Sequence, residues 1–210
     1  ECLTRNEEMR EQVRAEHGLS DSHLVMLYAG RLVQQKQPRV FAETMRLLNE
    51  SRADFTCFVA GDGPDMGWLR QFVSEHRLSD RVRLLGALPQ DRVRDYLSAS
   101  DIFFLPSQWE GIALSIYEAM AMELAVVGAD VGGQRELVTP DCGILLTRST
   151  EEDEAHRYAE QLRELLAQPR RVRALGQRAR ERVLDGFTPE RMGERLEQIF
   201  ELSLIHISEP

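Results

Sequence analysis

Cysteine is scarce in this chain of 210 residues: Cys2, Cys57 and Cys142 are scattered, odd in number, and never in C-x-x-C spacing. This excludes a disulfide framework and a thiolate zinc site, and it implies a reducing cytosol. Cys57 lies inside the apolar run Phe55–Ala60 and Cys142 opens another, so both read as small buried hydrophobes. The five histidines, His17, His23, His76, His156 and His206, stand far apart in the chain, and neither H-x-x-x-H nor D-x-D occurs. No metal site is therefore expected. No apolar run approaches the roughly 18 residues that a membrane-spanning helix needs, so no membrane contact is expected of this segment. The formal charge of -9, from 26 basic and 35 acidic residues, argues against nucleic acid or an anionic membrane as the main partner. The start, Glu1-Cys2-Leu3-Thr4-Arg5, has neither an initiating methionine nor a signal-peptide pattern, and an excised fragment is the expectation.

What is present suits one globular domain with a sizeable core: 42% hydrophobic and 29% charged residues. Short β-like runs at Leu24–Ala29, Asp54–Ala60, Val82–Leu85, Ile102–Leu105, Ala125–Ala129 and Gly143–Leu146 alternate with helical patterns. Phe41, Met45 and Leu48 make one apolar stripe, Trp68, Phe72 and Val73 a second, and Val93, Tyr96 and Leu97 a third. Ala155, Tyr158, Leu162 and Leu165 mark a long helix ended near Pro169, and Val172, Leu175 and Ala179 mark another. Thr188-Pro189 reads as an N-cap with proline at the first helical position, opening a helix with Met192, Leu196, Ile199 and Phe200 on one side. Strand and helix in alternation predict an α/β fold, a Rossmann-like, doubly wound and mostly parallel sheet with helices on both faces.

In such a sheet the strand-to-helix loops share the carboxyl edge, where ligands bind. Three glycine-bearing turns fall there: Gly30-Arg31-Leu32 after the first strand, Gly61-Asp62-Gly63-Pro64 after the second, and Glu110-Gly111 after the fourth. Each suits close backbone approach to a diphosphate, and each also suits an ordinary tight turn. Their joint register at successive strand ends favours the first reading. Arg31 and Lys36 are the only cations between Gly30 and Pro38; they read either as a solvated loop or as counter-charges for a diphosphate. Glu110 and Glu118, eight positions apart, bracket a glycine turn that runs into a helix through Ile112, Ala113 and Leu114. Unpaired N–H groups at that helix start would face the crevice. Asp62 and Asp65 read as turn formers.

These residues resemble the C-terminal half of GT-B glycosyltransferases of the retaining, glycogen-synthase-like kind, the glycosyl transferases group 1. The resemblance covers residues 20–202 and rests on Gly30-Arg31-Leu32 with Lys36, Ala60-Gly61-Asp62-Gly63-Pro64, Leu105-Pro106-Ser107, Glu110-Gly111 through Glu118-Ala119-Met120-Ala121, and Gly132-Gly133. It implies that Arg31 and Lys36 grip the donor diphosphate, that Glu118 receives the ribose hydroxyls, and that Glu110 touches the donor sugar. Backbone N–H groups from Gly111 to Leu114 would hold phosphate or sugar, and the turns at Gly30 and Gly61 would shape the nucleotide pocket. The implied reaction is metal-independent transfer of a sugar, with retention, from a nucleotide diphosphate to an acceptor hydroxyl. The partner is a nucleotide-sugar donor of unassigned base, and no cofactor is expected.

Departures from the family pattern matter too. Glu123 and Ala125 stand where the family places glycine and proline after Glu118-Ala-Met-Ala121, and Glu123 would cost about 1 kcal/mol if its backbone keeps positive φ. The resemblance also implies an N-terminal domain that binds the acceptor, and that domain is expected to be missing from this segment. Residues 1–20 are then linker or domain start, 21–188 the nucleotide-sugar domain, and 189–202 a crossover helix cut short. Residues 203–210 resemble translated sequencing-adapter sequence and read as non-native, with a frayed native tail as the alternative. Two other functions stay open: a nucleotide-binding module without catalysis, and a GT-B sugar-nucleotide epimerase or glycan phosphorylase.

Overall fold

The computed structural model describes residues 3–188 together with Arg191, Gly193 and Glu197. Six strands form one sheet: β1 (Val25–Ala29), β2 (Thr56–Ala60), β3 (Val82–Gly86), β4 (Ile102–Leu105), β5 (Ala125–Ala129) and β6 (Gly143–Leu146). Their order is β3-β2-β1-β4-β5-β6, and every neighbouring pair is parallel. All six expected strands are found, β4, β5 and β6 with the expected ends and β1, β2 and β3 with one end moved by one or two residues. β1, β2, β4 and β5 are buried along their whole length, so they read in sequence as continuous apolar runs rather than as alternating ones.

The strands are accompanied by the helices α1 (Glu7–Glu16), α2 (Pro38–Glu50), α3 (Met66–Glu75), α4 (Gln90–Ala99), α5 (Leu114–Ala121), α6 (Gln134–Leu137), α7 (Glu151–Leu166) and α8 (Pro169–Gly186), and by a 3-10 turn at Gln34–Lys36. In one layer α2 packs on α3 and α7; in the other, α4 packs on α1 and α5 on α8. Alternation along the strands sends aromatics to each face. Tyr28, Phe41, Phe104 and Tyr158 form a chain of rings 4.9–6.0 Å apart under one layer, and Phe58, Tyr96 and His17 cluster under the other. Each such pair contributes about 0.5–1.5 kcal/mol beyond the area it buries.

The stripe expected of α3 does face the core: Val73 is buried and Trp68 and Phe72 are partly buried against it, while the buried Met66 and Leu69 extend the stripe. The Trp68 and Phe72 rings lie 5.3 Å apart at a tilt, with the Arg39 guanidinium 4.5 Å above the Trp68 ring. Residues 1–20, expected as linker or domain start, contain the helix α1, which no apolar stripe announces. Asn6 caps it by accepting from Met9 N (3.2 Å), and its anchor is polar: Arg14, 1% exposed, donates to the carbonyls of Ala99 (2.7 Å) and Ser20 (2.8 Å). Asp101 sits among Arg5, Arg10 and Arg14 at 3.5, 2.9 and 3.4 Å and also accepts from Val25 N (2.9 Å). Burial lowers the pKa of both Arg5 and Arg14, and the Asp101 carboxylate opposes that shift.

Glu123 does keep the left-handed conformation, at φ +66°. Its carbonyl lies against Gly176 of α8, where an added Cβ would come within 2.1 Å, and its carboxylate pairs with Arg180 at 3.7 Å. The strain thus sits where α8 crosses the end of α5 at closest approach. Thr188 Oγ1 accepts from Arg191 N (3.3 Å), as an N-cap does. Met192, Leu196, Ile199 and Phe200 of the expected crossover helix, and the tail 203–210, lie outside the described residues.

For function the decisive feature is the strand order. From β1 the chain winds outward through β2 to β3, then returns to place β4 on the other side of β1. The direction of winding reverses between β1 and β4, and the crevice of an open α/β sheet lies outside the strand ends at that reversal.

Candidate functional site

The loops that leave β1 and β4 meet at the reversal. They are joined by Gln108 N donating to Gln35 O (2.7 Å), Gln35 Nε2 to Trp109 O (3.0 Å), and Gln37 Nε2 to Gln108 Oε1 (3.3 Å). On this scaffold the Lys36 ammonium and the Glu110 carboxylate form an ion pair, with side chains 17% and 9% exposed. Lys36 is anchored from behind: its N donates to Val33 O (2.8 Å), its carbonyl accepts from the Tyr28 hydroxyl (3.2 Å), and its stem lies over Gly30, 3.6–3.7 Å from where a Cβ would stand. Burial pushes the Tyr28 hydroxyl pKa up, with Asp65 and Glu110 adding to the shift, so it serves as a neutral donor.

The β2 loop is laced to the β1 loop. Gly30 N donates to Ala60 O (3.0 Å), Leu32 N to Asp62 O (3.0 Å), and Asp65 N to Leu32 O (3.1 Å). Gly61, at φ +149°, lies so close that an added Cβ would stand 1.9 Å from Gly30 O; only glycine fits. Asp62 accepts from Gly63 N (2.7 Å), in keeping with a turn-forming role. The expected shared rim of the Gly30, Gly61 and Glu110-Gly111 turns is therefore present, its loops in direct contact.

The β5 loop supports the other side. Gly133 N donates to Gly111 O (2.8 Å), and an added Cβ at Gly132, which has φ +54°, would stand 1.8 Å from Glu110 O. Gly132 and Gly133 are thus a floor on which the Glu110-Gly111 backbone rests. Gly111 itself differs: its φ is not in the left-handed region, and an added Cβ there would meet no atom within 4 Å. Nothing in the described protein requires glycine at that position. Ahead of α5, the backbone N–H groups of Gly111, Ile112, Ala113 and Leu114 find no acceptor among the described residues. Ile112 and Leu114 are exposed, and Ala113, the N-cap, is buried.

Arg31 is exposed at the same strand end, and its guanidinium has no ion-pair or hydrogen-bond partner among the described residues. Glu118, half-buried and one turn into α5, faces the start of α4, where Gln90 Nε2 donates to it at 3.5 Å. It therefore looks toward the loop after β3, where Gly86 has φ +72°. Lys36 and Glu110 are brought into contact; Glu118 and Arg31 line the same edge without touching that pair. Sequence reasoning missed Gln35, Gln37, Gln108, Tyr28 and Gln90, none of which carries a motif. No three His, Cys, Asp or Glu side chains gather to hold a metal ion among the described residues.

A parallel, doubly wound α/β domain with charged and glycine-bearing loops at its winding reversal belongs to the Rossmann-like class of folds. The glycosyl transferases group 1 model matches residues 9–182, and the chain belongs to that family. It is 30% identical over 190 residues to N-acetyl-alpha-D-glucosaminyl L-malate synthase of Bacillus anthracis, covering 90% of this chain and 48% of that protein. Among solved structures it resembles the C-terminal domain of a glycosyl transferase group 1 family protein (LpcC) from Francisella tularensis, with TM-score 0.74 and 21% identity, covering 86% of this chain and 93% of that one. It also resembles Anabaena Alr3699/HepE in complex with UDP and glucose, with TM-score 0.77 and 19% identity, covering 94% of this chain and 53% of that one. The fold is that of a GT-B domain. The chain spans about half the length, or less, of the curated relatives it matches.

Proposed function

We propose that this chain is the donor half of a retaining glycosyltransferase that uses a nucleotide-diphosphate sugar. The observation that carries the reading is the meeting of Lys36 with Glu110 at the β1/β4 reversal, beside N–H groups that lack acceptors among the described residues and a glycine that no contact among them demands. Phosphate oxygens fit the unpaired N–H groups and the two cations, Arg31 and Lys36. Vicinal ribose hydroxyls fit Glu118, because an ionised carboxylate accepts two hydroxyl protons. Glu110 positions the donor sugar by accepting from its hydroxyls. At Gly111 a side chain would take the space through which the ligand reaches the backbone.

The chemistry is chiefly electrostatic. As the glycosidic bond to the leaving diphosphate breaks through an oxocarbenium-like transition state, negative charge accumulates on the phosphate. Preorganised donors oppose that build-up, each contributing about 3 kcal/mol. The acceptor and the facing wall belong to a second domain, which relatives of twice this length have room for. Without that wall, water is not shut out and the acceptor is not placed, so the chain alone binds donor and transfers no sugar.

Calorimetry with UDP, GDP and ADP tests the reading. One of them should bind, and Arg31→Ala and Lys36→Ala should weaken the diphosphate more than the free nucleoside. Flat titrations for all three in a folded sample would overturn the nucleotide reading. Sugar transfer by this chain alone would overturn the half-site reading.

A further inference from the structure

We propose that the buried Glu110 carboxylate, whose partner Lys36 is drawn to phosphate, makes the site select a nucleoside diphosphate that still carries its sugar over the bare nucleoside diphosphate left after transfer. The inference rests on the nucleotide-sugar reading above and assigns the pair a second task, discrimination between donor and spent product.

The geometry points to an exchange of partners. Among the described residues the Lys36 ammonium has no hydrogen-bond acceptor other than Glu110, and the Glu110 carboxylate has no donor other than Lys36. Both main chains are held: Lys36 by Val33 O, the Tyr28 hydroxyl and the Gly30 surface, Glu110 by the Gly132 floor and the Gln35 bond to its neighbour Trp109. Only the charged heads are free to change partners. A phosphate that takes the ammonium leaves behind a carboxylate whose side chain is 9% exposed. A buried acceptor without a donor is strongly disfavoured.

The ligand decides whether that carboxylate is compensated. A bare diphosphate offers it only more negative charge. A sugar nucleotide brings hydroxyl donors alongside its phosphates, so ammonium and carboxylate each exchange one partner for another. The same two residues therefore favour loading of the donor and departure of the product.

The test uses the whole 210-residue chain and calorimetric titration of matched pairs: UDP with UDP-glucose and UDP-N-acetylglucosamine, GDP with GDP-mannose, and ADP with ADP-glucose. The best-bound sugar nucleotide should bind about tenfold or more tightly than its own diphosphate, the scale set by one unsatisfied buried carboxylate. Glu110→Gln, which keeps the shape and removes the charge, should bind the bare diphosphate more tightly than wild type and bring the ratio toward one. Lys36→Met should weaken both ligands and keep the preference for the sugar nucleotide. Thermal melting of each variant establishes that it is folded.

Three outcomes overturn the exchange: a wild-type ratio near one, Glu110→Gln shifting both ligands by the same factor as plain charge repulsion would, or Lys36→Met abolishing the preference. Each leaves nucleotide binding intact, so failure of the exchange is distinct from failure of the site. No binding of any nucleotide by folded wild type overturns both.

Discussion

Replacing Gly132 with alanine separates support of the donor loop from contact with ligand. The residue has φ +54°, where a side chain costs about 1–2 kcal/mol. Its new Cβ would stand 1.8 Å from Glu110 O and 2.9 Å from both Glu110 C and Gly111 O, backbone atoms that cannot rotate away. Relieving that overlap requires the loop to move by more than an ångström, and overpacking of this kind costs about 1–3 kcal/mol more. The expected loss is about 3 kcal/mol, or about 6–12 °C in Tm for a domain of this size. Moving Glu110 also takes its carboxylate from Lys36 and breaks the Gly133 to Gly111 bond, so nucleotide-diphosphate affinity falls with stability. Gly111→Ala is the contrast: no atom lies within 4 Å of its Cβ and its φ is ordinary, so urea unfolding should change by less than about 0.5 kcal/mol while sugar-nucleotide binding weakens. Urea melts and calorimetry on both variants suffice. Gly132→Ala with unchanged stability and affinity, or Gly111→Ala that binds as wild type, would refute the reasoning.

Two further expectations concern parts of the fold away from the crevice. Asp101→Asn leaves Arg5, Arg10 and Arg14 facing one another without their carboxylate, and because Arg14 is buried, about 3 kcal/mol of stability should be lost; a change under about 0.5 kcal/mol in urea unfolding would show that the carbonyls alone hold α1. Hydrogen bonds from Arg46 and Arg81 hold the carboxyls of Glu43 and Asp54 below their ordinary pKa. A folded pKa below the unfolded one means that this stabilisation is complete only above about pH 5, beyond the ordinary carboxylate range, and is lost as pH falls through the folded values. The double variant Glu43→Gln with Asp54→Asn should therefore lose stability less steeply in acid than wild type; parallel curves would count against the assignment.

The strands were legible because each is short, apolar and bounded by turn residues, and the three glycine turns were legible because glycine marks strand ends. Residue type is a poor guide elsewhere. Gln37 holds φ +53° ahead of Pro38, and nothing in a run of glutamines announces that one of them takes the left-handed conformation and reaches Gln108 across the crevice. α1 is hidden in the sequence because Val13 is its one fully buried apolar residue and the rest of its anchor is the guanidinium groups of Arg10 and Arg14 on Ala99 O and Asp101, contacts no apolar stripe announces. In α3 the largest apolar side chains, Trp68 and Phe72, are not the most buried, since the helix turns the smaller Leu69 and Val73 inward.

Residue order by itself determined the alternation of strand and helix, the strand-end position of Gly30, Gly61 and Gly111, and the spacing of Glu110 and Glu118, because these depend on local steric preference and on the periods of helix and strand. The tertiary structure alone decided that the chain reverses its winding between β1 and β4, which sets Lys36 against Glu110 across 74 positions of sequence. It also decided that Gly132 is a floor while Gly111 is open, although both are glycines beside the same loop. The reason is physical: contact between distant segments is set by how helices cover both faces of the sheet, and no local preference encodes which loops that packing brings together.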